Sequence, residues 1–305
     1  MTIDNETAMK IIGASFLFFA IIELIRGHYS KPEFWTLAEF GTSLGSFINF
    51  LVVRAGLLIV ASWLLLALFP TGAGFMADLP FLPVFLAYVL FEEYAHYWVH
   101  RWAHEWSWLW RFHKPHHTPK ELNLTVAYRE NWAWFIFVPN AWLGAILVWG
   151  GQAEAAMLGA AIKGSSEWMV HSAVRWDLAL QKNRLTRPIM WVLERVITLP
   201  DTHHVHHGIG RYGNAMGNYG SFLFMYDLMH GTGTIPHHVQ DGFGLPKGVK
   251  VEPWYEQLWW PFLRKAGAAD LRITPADQTP LFSAADIDDA SAVITTADGQ
   301  QIIVA

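Results

Sequence analysis

The sequence contains no cysteine and few charged residues. The absence of cysteine among 305 residues excludes a disulfide scaffold, thiolate metal sites, c-type haem attachment and a cysteine nucleophile. Charged residues make up 15% of the chain, against about a quarter in soluble domains. The net charge is −5 and the 21 Lys and Arg residues form no basic block, so nucleic acid is not an expected partner. Apolar residues and 15 histidines are abundant instead.

Long apolar segments predict a membrane protein, because about 20 such residues cross the hydrocarbon core. Four or five segments qualify: 9–25, 46–69, a third from Leu79 into Glu92 and Glu93, 132–151, and 153–170. The fourth is expected to kink at Pro139 and Asn140. The fold prediction is therefore an all-α integral membrane bundle of four to five helices.

The distribution of Lys and Arg predicts the orientation of this bundle. The stretch from Arg101 to Arg129 holds five such residues and that from Arg175 to Arg211 six, whereas 70–78 and 150–152 hold none. By the positive-inside rule, the basic stretches face the cytoplasm. Because nearly all histidines fall there, we expect a cytoplasmic helical cap on a multi-pass protein of a bacterial inner membrane or an ER-type membrane.

The composition divides the chain into two parts. Residues 1–265 are predicted to form the membrane-embedded domain, with the histidine-rich region at 93–232. Residues 266–305, rich in Ala and Asp, are predicted to be a flexible cytoplasmic extension without a catalytic part. Glu23 and Arg54 lie within the first two apolar segments, where an ion pair between adjacent helices is expected.

The histidines are clustered at spacings that bring them to common helical faces. Eight form three clusters: His100 and His104; His113, His116 and His117; and His203, His206 and His207. Pro115 makes the helical assumption weaker in the second cluster. Neutral imidazole is the commonest protein ligand for Fe, Zn, Cu and Ni. With His171 as a plausible ninth ligand, this number of imidazoles implies two metal ions.

Other residues near these clusters are candidates for orienting the ligands. A carboxylate can accept the second N–H of a ligand imidazole, and Glu93, Glu167 and Asp201 are close enough in sequence for that role. His96, a turn before His100, and His204, out of phase with its neighbours, are the remaining candidates in the outer shell. The other four histidines, His28, His230, His237 and His238, are expected to have structural roles.

Several other catalytic templates are missing. The zinc-protease pattern HExxH begins at His104 and Glu105 but meets Trp108 where the second histidine is required. The sequence also has no P-loop.

The histidine clusters and the residues between them resemble the fatty acid hydroxylase/sterol desaturase superfamily, integral membrane oxygenases with a histidine-bound di-iron centre. The resemblance covers 97–232 and rests on YWVHRWAH, LWRFHKPHH, ELNLTVAYR, HSAV, HHVHH, NYG at Asn218 to Gly220, and the D…GT pattern from Asp227 to Thr232. It implies metal ligation by nine residues: His100, His104, His113, His116, His117, His171, His203, His206 and His207. It also implies two iron ions and O2 as co-substrate, although the ligand types alone leave zinc and copper open.

This chain departs from the pattern of the superfamily after the second cluster and again after the third. Arg129 is followed by Glu130 and Asn131, where the family often has His-Pro, while Met216 and His230 replace an acidic and an aromatic residue. These departures leave the nine histidines unchanged and affect only the expected substrate.

The resemblance implies O2-dependent hydroxylation of a membrane lipid, whether fatty acyl, sphingolipid-like or sterol. A separate electron-transfer protein and reductase are expected, because the chain has no flavin, nicotinamide or haem motif. Desaturation and ether-lipid cleavage would use the same metal centre.

A histidine-rich metal transporter and a bis-histidine cytochrome are alternatives of other classes. Transporters place ionisable ligands near the midplane of the membrane, whereas these histidines cluster at the ends of the apolar segments. A haem needs only two axial ligands, so a cytochrome would leave most of the clustered histidines without a role. The sequence leaves the oligomeric state open.

Overall fold

The computed structural model describes residues 5–30, 36–245, 249–264, 292–295 and 301–304. The chain is mostly helical, 65% helix, which confirms the all-α prediction. The helices are α1 (Asn5–Ile25), α2 (Leu37–Leu68), α3 (Phe81–Glu105), α4 (Ser107–His113), α5 (Trp134–Phe137), α6 (Asn140–Trp149), α7 (Ala153–His171), α8 (Trp176–Lys182), α9 (Arg187–Val196), α10 (Pro200–His207), α11 (Met225–His230) and α12 (Trp254–Trp259).

Two short antiparallel pairs are the described β-structure. Strand β1 (Gly208–Ile209) pairs with β2 (Gly242–Phe243), with Gly208 opposite Phe243. Strand β3 (Ala292–Thr295) pairs with β4 (Gln301–Val304) inside the predicted C-terminal extension. The rest of that extension, 266–291, 296–300 and 305, lies outside the described residues, so its flexibility stays a prediction.

Helix α7 is the central helix of the bundle. It packs against α1, α3 and α6, and its end contacts α10. Its sequence is rich in Ala, Gly and Ser, which allow neighbouring helices to approach closely. A Cβ added at Gly159 would lie 2.4 Å from the ring of Tyr88 on α3, so a larger residue does not fit there without a shift of that ring.

Charged residues of the third and fifth apolar segments form ion pairs with one another. Lys163 on α7 forms ion pairs with Glu92 and Glu93 on α3, each at an N–O distance of 2.8 Å. These charged groups therefore face another helix, as intramembrane charges usually do. The fifth segment, the least apolar of the predicted spans, forms the centre of the bundle.

The helices of the structure agree with the predicted membrane-spanning segments to different degrees. Among the described helices, α2 alone is long and apolar enough to cross a membrane by itself, and almost none of its apolar window is covered. Helices α1, α3 and α7 coincide with the first, third and fifth predicted segments. The count of four to five spans remains a prediction.

The fourth predicted segment is broken rather than kinked. Helix α5 ends before Val138, whose backbone is extended (φ −70°, ψ 139°), and α6 begins at Asn140. Pro139 explains the break, because it has no N–H to donate and disfavours helical backbone in the preceding residue. The ten residues of α6 span about 15 Å, roughly half of the hydrocarbon core.

The expected ion pair between Glu23 and Arg54 is wrong. Glu23 is fully buried and accepts hydrogen bonds from the backbone N–H groups of Leu124, at 3.3 Å, and Ala173, at 2.8 Å. Arg54 donates to the side chain of Asn140 on α6 instead. Glu23 therefore connects α1 to two later parts of the chain. One is the segment around Leu124, after the second histidine cluster, and the other is the segment around Ala173, directly after α7.

We expect Glu23→Ala to lower the stability of the protein markedly. The substitution leaves two buried N–H groups without an acceptor, and each such group costs about 1–3 kcal/mol. Thermal unfolding of the purified protein in detergent measures the effect. The control is Glu6→Ala, which removes an exposed partner of Lys10 and should leave the melting temperature nearly unchanged; equal shifts for the two variants would contradict the role of Glu23.

Candidate metal centre

Four segments of the chain deliver the nine predicted ligands to one place. His100 and His104 lie at the end of α3, His113 ends α4, His116 and His117 lie in a 3₁₀ turn, His171 ends α7, and His203, His206 and His207 lie on α10. The change from α-helix to 3₁₀ turn at Lys114–His117 fits Pro115, which cannot donate within a helix. All nine side chains are between 0% and 5% exposed.

The nine histidines separate into two groups, and within each group one ring nitrogen per residue lies within 4.8 Å of all the others. The five-histidine group contains His100, His104, His113, His117 and His206, and the four-histidine group contains His116, His171, His203 and His207. The two groups are adjacent, because the rings of His117 and His207 stack at 4.4 Å between centroids. Both three-histidine clusters of the sequence contribute to both groups.

Backbone carbonyls fix the orientation of three of these rings. A carbonyl oxygen only accepts, so the Nδ1 atom that it faces carries the hydrogen and Nε2 carries the lone pair. The bonds join His100 Nδ1 to Tyr219 O at 2.7 Å, His206 Nδ1 to Gly217 O at 2.8 Å, and His171 Nδ1 to Glu167 O at 2.7 Å.

The Nε2 atoms of each group converge on one another. In the four-histidine group, Nε2 of His171 lies 2.8 Å from Nε2 of His203 and 3.1 Å from Nε2 of His116. In the five-histidine group, Nε2 of His100 and His206 has no hydrogen-bond partner among the described residues. The Nε2 lone pairs of His100, His171 and His206 are thus available to a bound cation.

The distances between these nitrogens fit metal ligation. Two nitrogens bound to one ion at about 2.0–2.1 Å lie about 3–3.4 Å apart when they are neighbours in the coordination shell. The Nε2 atoms are 3.3 Å apart for His113 and His117, and 3.1 Å apart for His203 and His207. The side chains therefore fit two ions in all-imidazole surroundings, which suit iron, zinc, copper and nickel.

Burial keeps the imidazoles neutral. Loss of hydration, followed by the proximity of other imidazoles, holds the pKa of His113, His117 and His203 well below its ordinary value. The same loss of hydration lowers the pKa of His206 and His207. Neutral imidazole is the form that binds metal, so an ion can bind at neutral pH without first displacing protons from these rings.

The loop after α10 holds two of the carbonyl acceptors in place. The carboxylate of Asp227 accepts from the N–H groups of Tyr219, at 2.8 Å, and Gly220, at 2.7 Å, and from the hydroxyl of Thr232, at 2.7 Å. A Cβ added at Gly220 would lie 2.9 Å from that carboxylate. The NYG and D…GT motifs thus fix the loop whose Gly217 and Tyr219 carbonyls orient ligand rings.

Glu130 is a site residue that the sequence analysis did not identify. It is buried and accepts a hydrogen bond from Nδ1 of His113 at 2.9 Å. Burial raises the pKa of Glu130 well above its usual value, whereas the positive charge of a bound metal would lower it. The available signal was an acidic residue in the otherwise uncharged stretch that follows Arg129, at a position where the superfamily often has histidine.

Two of the three carboxylates proposed to orient ligands do not contact an imidazole. Glu93 accepts from the N–H of Phe222 at 2.8 Å, in addition to its ion pair with Lys163. Asp201 is bound by the guanidinium of Arg175, at 2.8 Å, which takes the place of the expected ring.

The third carboxylate reaches its ligand in a different way from that expected. The backbone carbonyl of Glu167 accepts from His171, while its carboxylate accepts from the hydroxyl of Ser221 at 2.6 Å. The carboxylate itself lies 3.8 Å from Nδ1 of His171.

The two additional histidines lie outside both groups. His204 is buried with its ring against Phe243, at 5.5 Å between centroids, on the side of α10 that faces β1 and β2. His96 is half-buried, with its ring centroid 6.0 Å from that of His100. It lines a cavity next to the metal-ligand candidates and does not join them.

This cavity contacts both histidine groups. It is bordered by His100 and His113 of the first group and by His116 and His203 of the second. Its apolar wall consists of Phe50, Trp134, Phe135 and Val138, while Arg54, Asn140 and Glu167 are among its polar lining residues. A molecule in this cavity would lie beside both candidate metal positions.

The comparisons with known proteins identify one family. Residues 85–232 match the family model described as Fatty acid hydroxylase. No curated protein and no solved structure shows significant similarity to the chain. The matched region includes all nine histidines of the two groups and ends at Thr232.

We expect single substitutions on α10 to remove metal from different positions. His206→Ala deletes a nitrogen of the five-histidine group and His203→Ala one of the four-histidine group, so each variant should retain about half of the bound metal. Elemental analysis of purified protein measures the content per chain. The exposed His238 provides the control, since His238→Ala should retain full metal content; full content in both α10 variants would contradict the assignment.

Glu130 should affect the metal through His113. Loss of an acceptor that orients a ligand histidine typically lowers metal affinity about 10–100-fold, and we expect a loss of this size for Glu130→Ala in a chelator competition assay. Glu130→Gln retains an oxygen acceptor and should lose less. The same affinity for the alanine variant and the wild type would exclude this role.

Proposed function

Residues 85–232 of this chain form a fatty acid hydroxylase domain, and from this premise we propose that the protein is an O2-dependent di-iron membrane oxygenase that hydroxylates a C–H bond of a lipid. Members of this family are oxidoreductases associated with membranes. The observation that carries the proposal is the convergence of nine buried imidazoles into two groups beside one cavity.

The histidines of each group would hold one iron ion. Iron bound there supplies the redox chemistry that activates O2 toward an unactivated C–H bond. In hydroxylation one oxygen atom enters the C–H bond and the other leaves as water, with two electrons and two protons taken from a donor. The role of the protein is to keep the Nε2 lone pairs directed inward and the surroundings free of bulk water.

The cavity supports a lipid as the substrate. The ring of Trp134 stacks on the ligand candidate His113, at 4.4 Å between centroids, and Phe135 and Val138 continue the apolar wall. Arg54 forms no ion pair with any described residue, and it lines the same cavity together with Asn140. We propose that the hydrocarbon of the substrate lies along the aromatic wall while a polar group of the substrate contacts Arg54.

A multi-pass arrangement follows from the same proposal. Helices α1, α2, α3 and α7, with α5 and α6 as a broken fifth segment, would cross the membrane together. The basic stretches around Arg101–Arg129 and Arg175–Arg211 would place the metal centre on the cytoplasmic side. The membrane would be a bacterial inner membrane or an ER-type membrane.

The electrons would come from a separate electron-transfer protein and its reductase. The sequence offers no binding motif for flavin, nicotinamide or haem on this chain. A metal transporter is less well supported, because the histidines form a closed, buried group at the ends of α3 and α7 rather than a path near the middle of the helices.

The test is lipid mass spectrometry of membranes from cells that express the protein under ¹⁸O2. We expect one lipid class to gain a single ¹⁸O atom, because hydroxylation takes its oxygen from O2. Membranes from cells that express His206→Ala serve as the control and should lack the product.

Other outcomes would identify a different reaction. Loss of two hydrogens without ¹⁸O would indicate desaturation, and cleavage of an ether lipid with an ¹⁸O-labelled fragment would indicate an ether-lipid monooxygenase. Accumulation of metal in cells with unchanged lipids would overturn the proposal in favour of transport.

A further inference from the structure

Helix α9 exposes an apolar stripe that no described part of the chain covers. The stripe consists of Leu185, in the turn just before α9, and of Ile189, Val192 and Val196, which follow one another on α9 at spacings of three and four residues and thus share a helical face. Their exposed fractions are 86%, 61%, 52% and 43%. Large apolar residues aligned in this way are typical of a surface that binds a partner or a membrane.

The opposite face of α9 is already occupied. Met190 and Glu194 are each 2% exposed. The carboxylate of Glu194 is bonded to Gln181 of α8 and, at 2.8 Å, to the ring of His237. Helix α9 is therefore held in one orientation, and its apolar stripe cannot turn inward to join the core.

Exposed apolar residues continue from the stripe through α11 to α3. Helix α9 packs against α11, and α11 packs against α3. Tyr226 of α11 donates a hydrogen bond to the carbonyl of Leu90 on α3 at 2.7 Å. Leu228 and Met229 on α11 are exposed, as are Leu90 and Phe91 on α3. The uncovered apolar surface thus extends from a predicted span to α9.

Positive charge surrounds this stripe. Lys182, Arg184 and Arg187 are exposed and form no ion pair with any described residue. Lys182 and Arg187 also line a groove between α8 and α9 together with Trp191. The guanidinium of Arg195 lies over the Trp191 ring at 4.0 Å. Basic side chains and tryptophan next to an apolar face are the composition of helices that lie in the headgroup region of anionic bilayers.

We propose that α9 lies in the surface of an anionic bilayer, with its apolar stripe on the acyl chains and with Lys182, Arg184 and Arg187 against the phosphates of lipid headgroups. The proposal requires that the chain is embedded in a membrane, but it does not require any particular reaction at the metal centre. A soluble acidic protein would also be attracted by the basic residues. The continuity of the stripe with α3 favours lipid, because a soluble partner would have to cover the lipid-facing edge as well.

The absence of cysteine makes the test direct, because a single introduced cysteine takes up a spin label at one position only. Ile189→Cys and Val192→Cys place the label on the apolar stripe, in the full chain reconstituted into nanodiscs that contain phosphatidylglycerol. Ile59→Cys on α2 is the reference for lipid, and the exposed Lys120→Cys is the reference for water. The measurement is the ratio of collisions with O2, which concentrates in lipid, to collisions with a water-soluble nickel chelate.

We expect the ratio at positions 189 and 192 to exceed that at position 120 several-fold and to approach that at position 59. It should be higher in phosphatidylglycerol than in phosphatidylcholine, and this difference should disappear when Lys182→Gln, Arg184→Gln and Arg187→Gln are combined. A ratio equal to that at position 120 would overturn the proposal. Labels shielded from both reagents would also overturn it, since they would show that a protein covers the stripe. The readout needs no turnover, so it is independent of the proposed hydroxylation.

Discussion

The arrangement of the candidate metal centre depends on the hydrogen of each candidate ligand imidazole being accepted on the outer side of the site. Only then does every Nε2 present a lone pair to the inside. Backbone carbonyls of Gly217, Tyr219 and Glu167 meet this requirement for three rings, and Glu130 meets it for a fourth. The precise fold of the loop after α10 is thus a condition for ligand geometry, although none of its residues belongs to either histidine group.

The need for an acceptor at the Nδ1 hydrogen of His100 also connects the apolar bundle to the candidate metal centre. Glu93 on α3 is paired with Lys163 on α7 and accepts from the N–H of Phe222. Three residues before Phe222, the carbonyl of Tyr219 receives the Nδ1 hydrogen of His100. The buried carboxylate of Glu93 therefore does more than pair with Lys163. It also helps to hold the loop after α10, whose Tyr219 carbonyl orients His100. A buried ion pair alone is weak evidence for stability.

Spacing within the sequence was sufficient to find eight of the nine histidines, because local periodicity determines which side chains share a face, whereas His171 belongs to no cluster and was added individually. Spacing was not sufficient to find Glu130 or to reject Asp201, since the partners of both are set by contacts between distant segments, with His113 in one case and with Arg175 in the other. The Glu23–Arg54 pair failed for the same reason. The length of the apolar runs located the apolar helices, but Lys163 shows that a charged segment can be central when charges of the opposite sign lie on the neighbouring helix.

Each of the two three-histidine clusters of the sequence is divided between the two groups, and this division has a mechanical consequence. His113 and His117 point to one candidate metal position and His116 to the other, while His206 and His203 on α10 are divided likewise. Neither position belongs to one cluster, so a tilt of α10 or a change of the 3₁₀ turn displaces ligands at both. The two candidate positions are thus linked through α10 and the 3₁₀ turn, each of which supplies histidines to both.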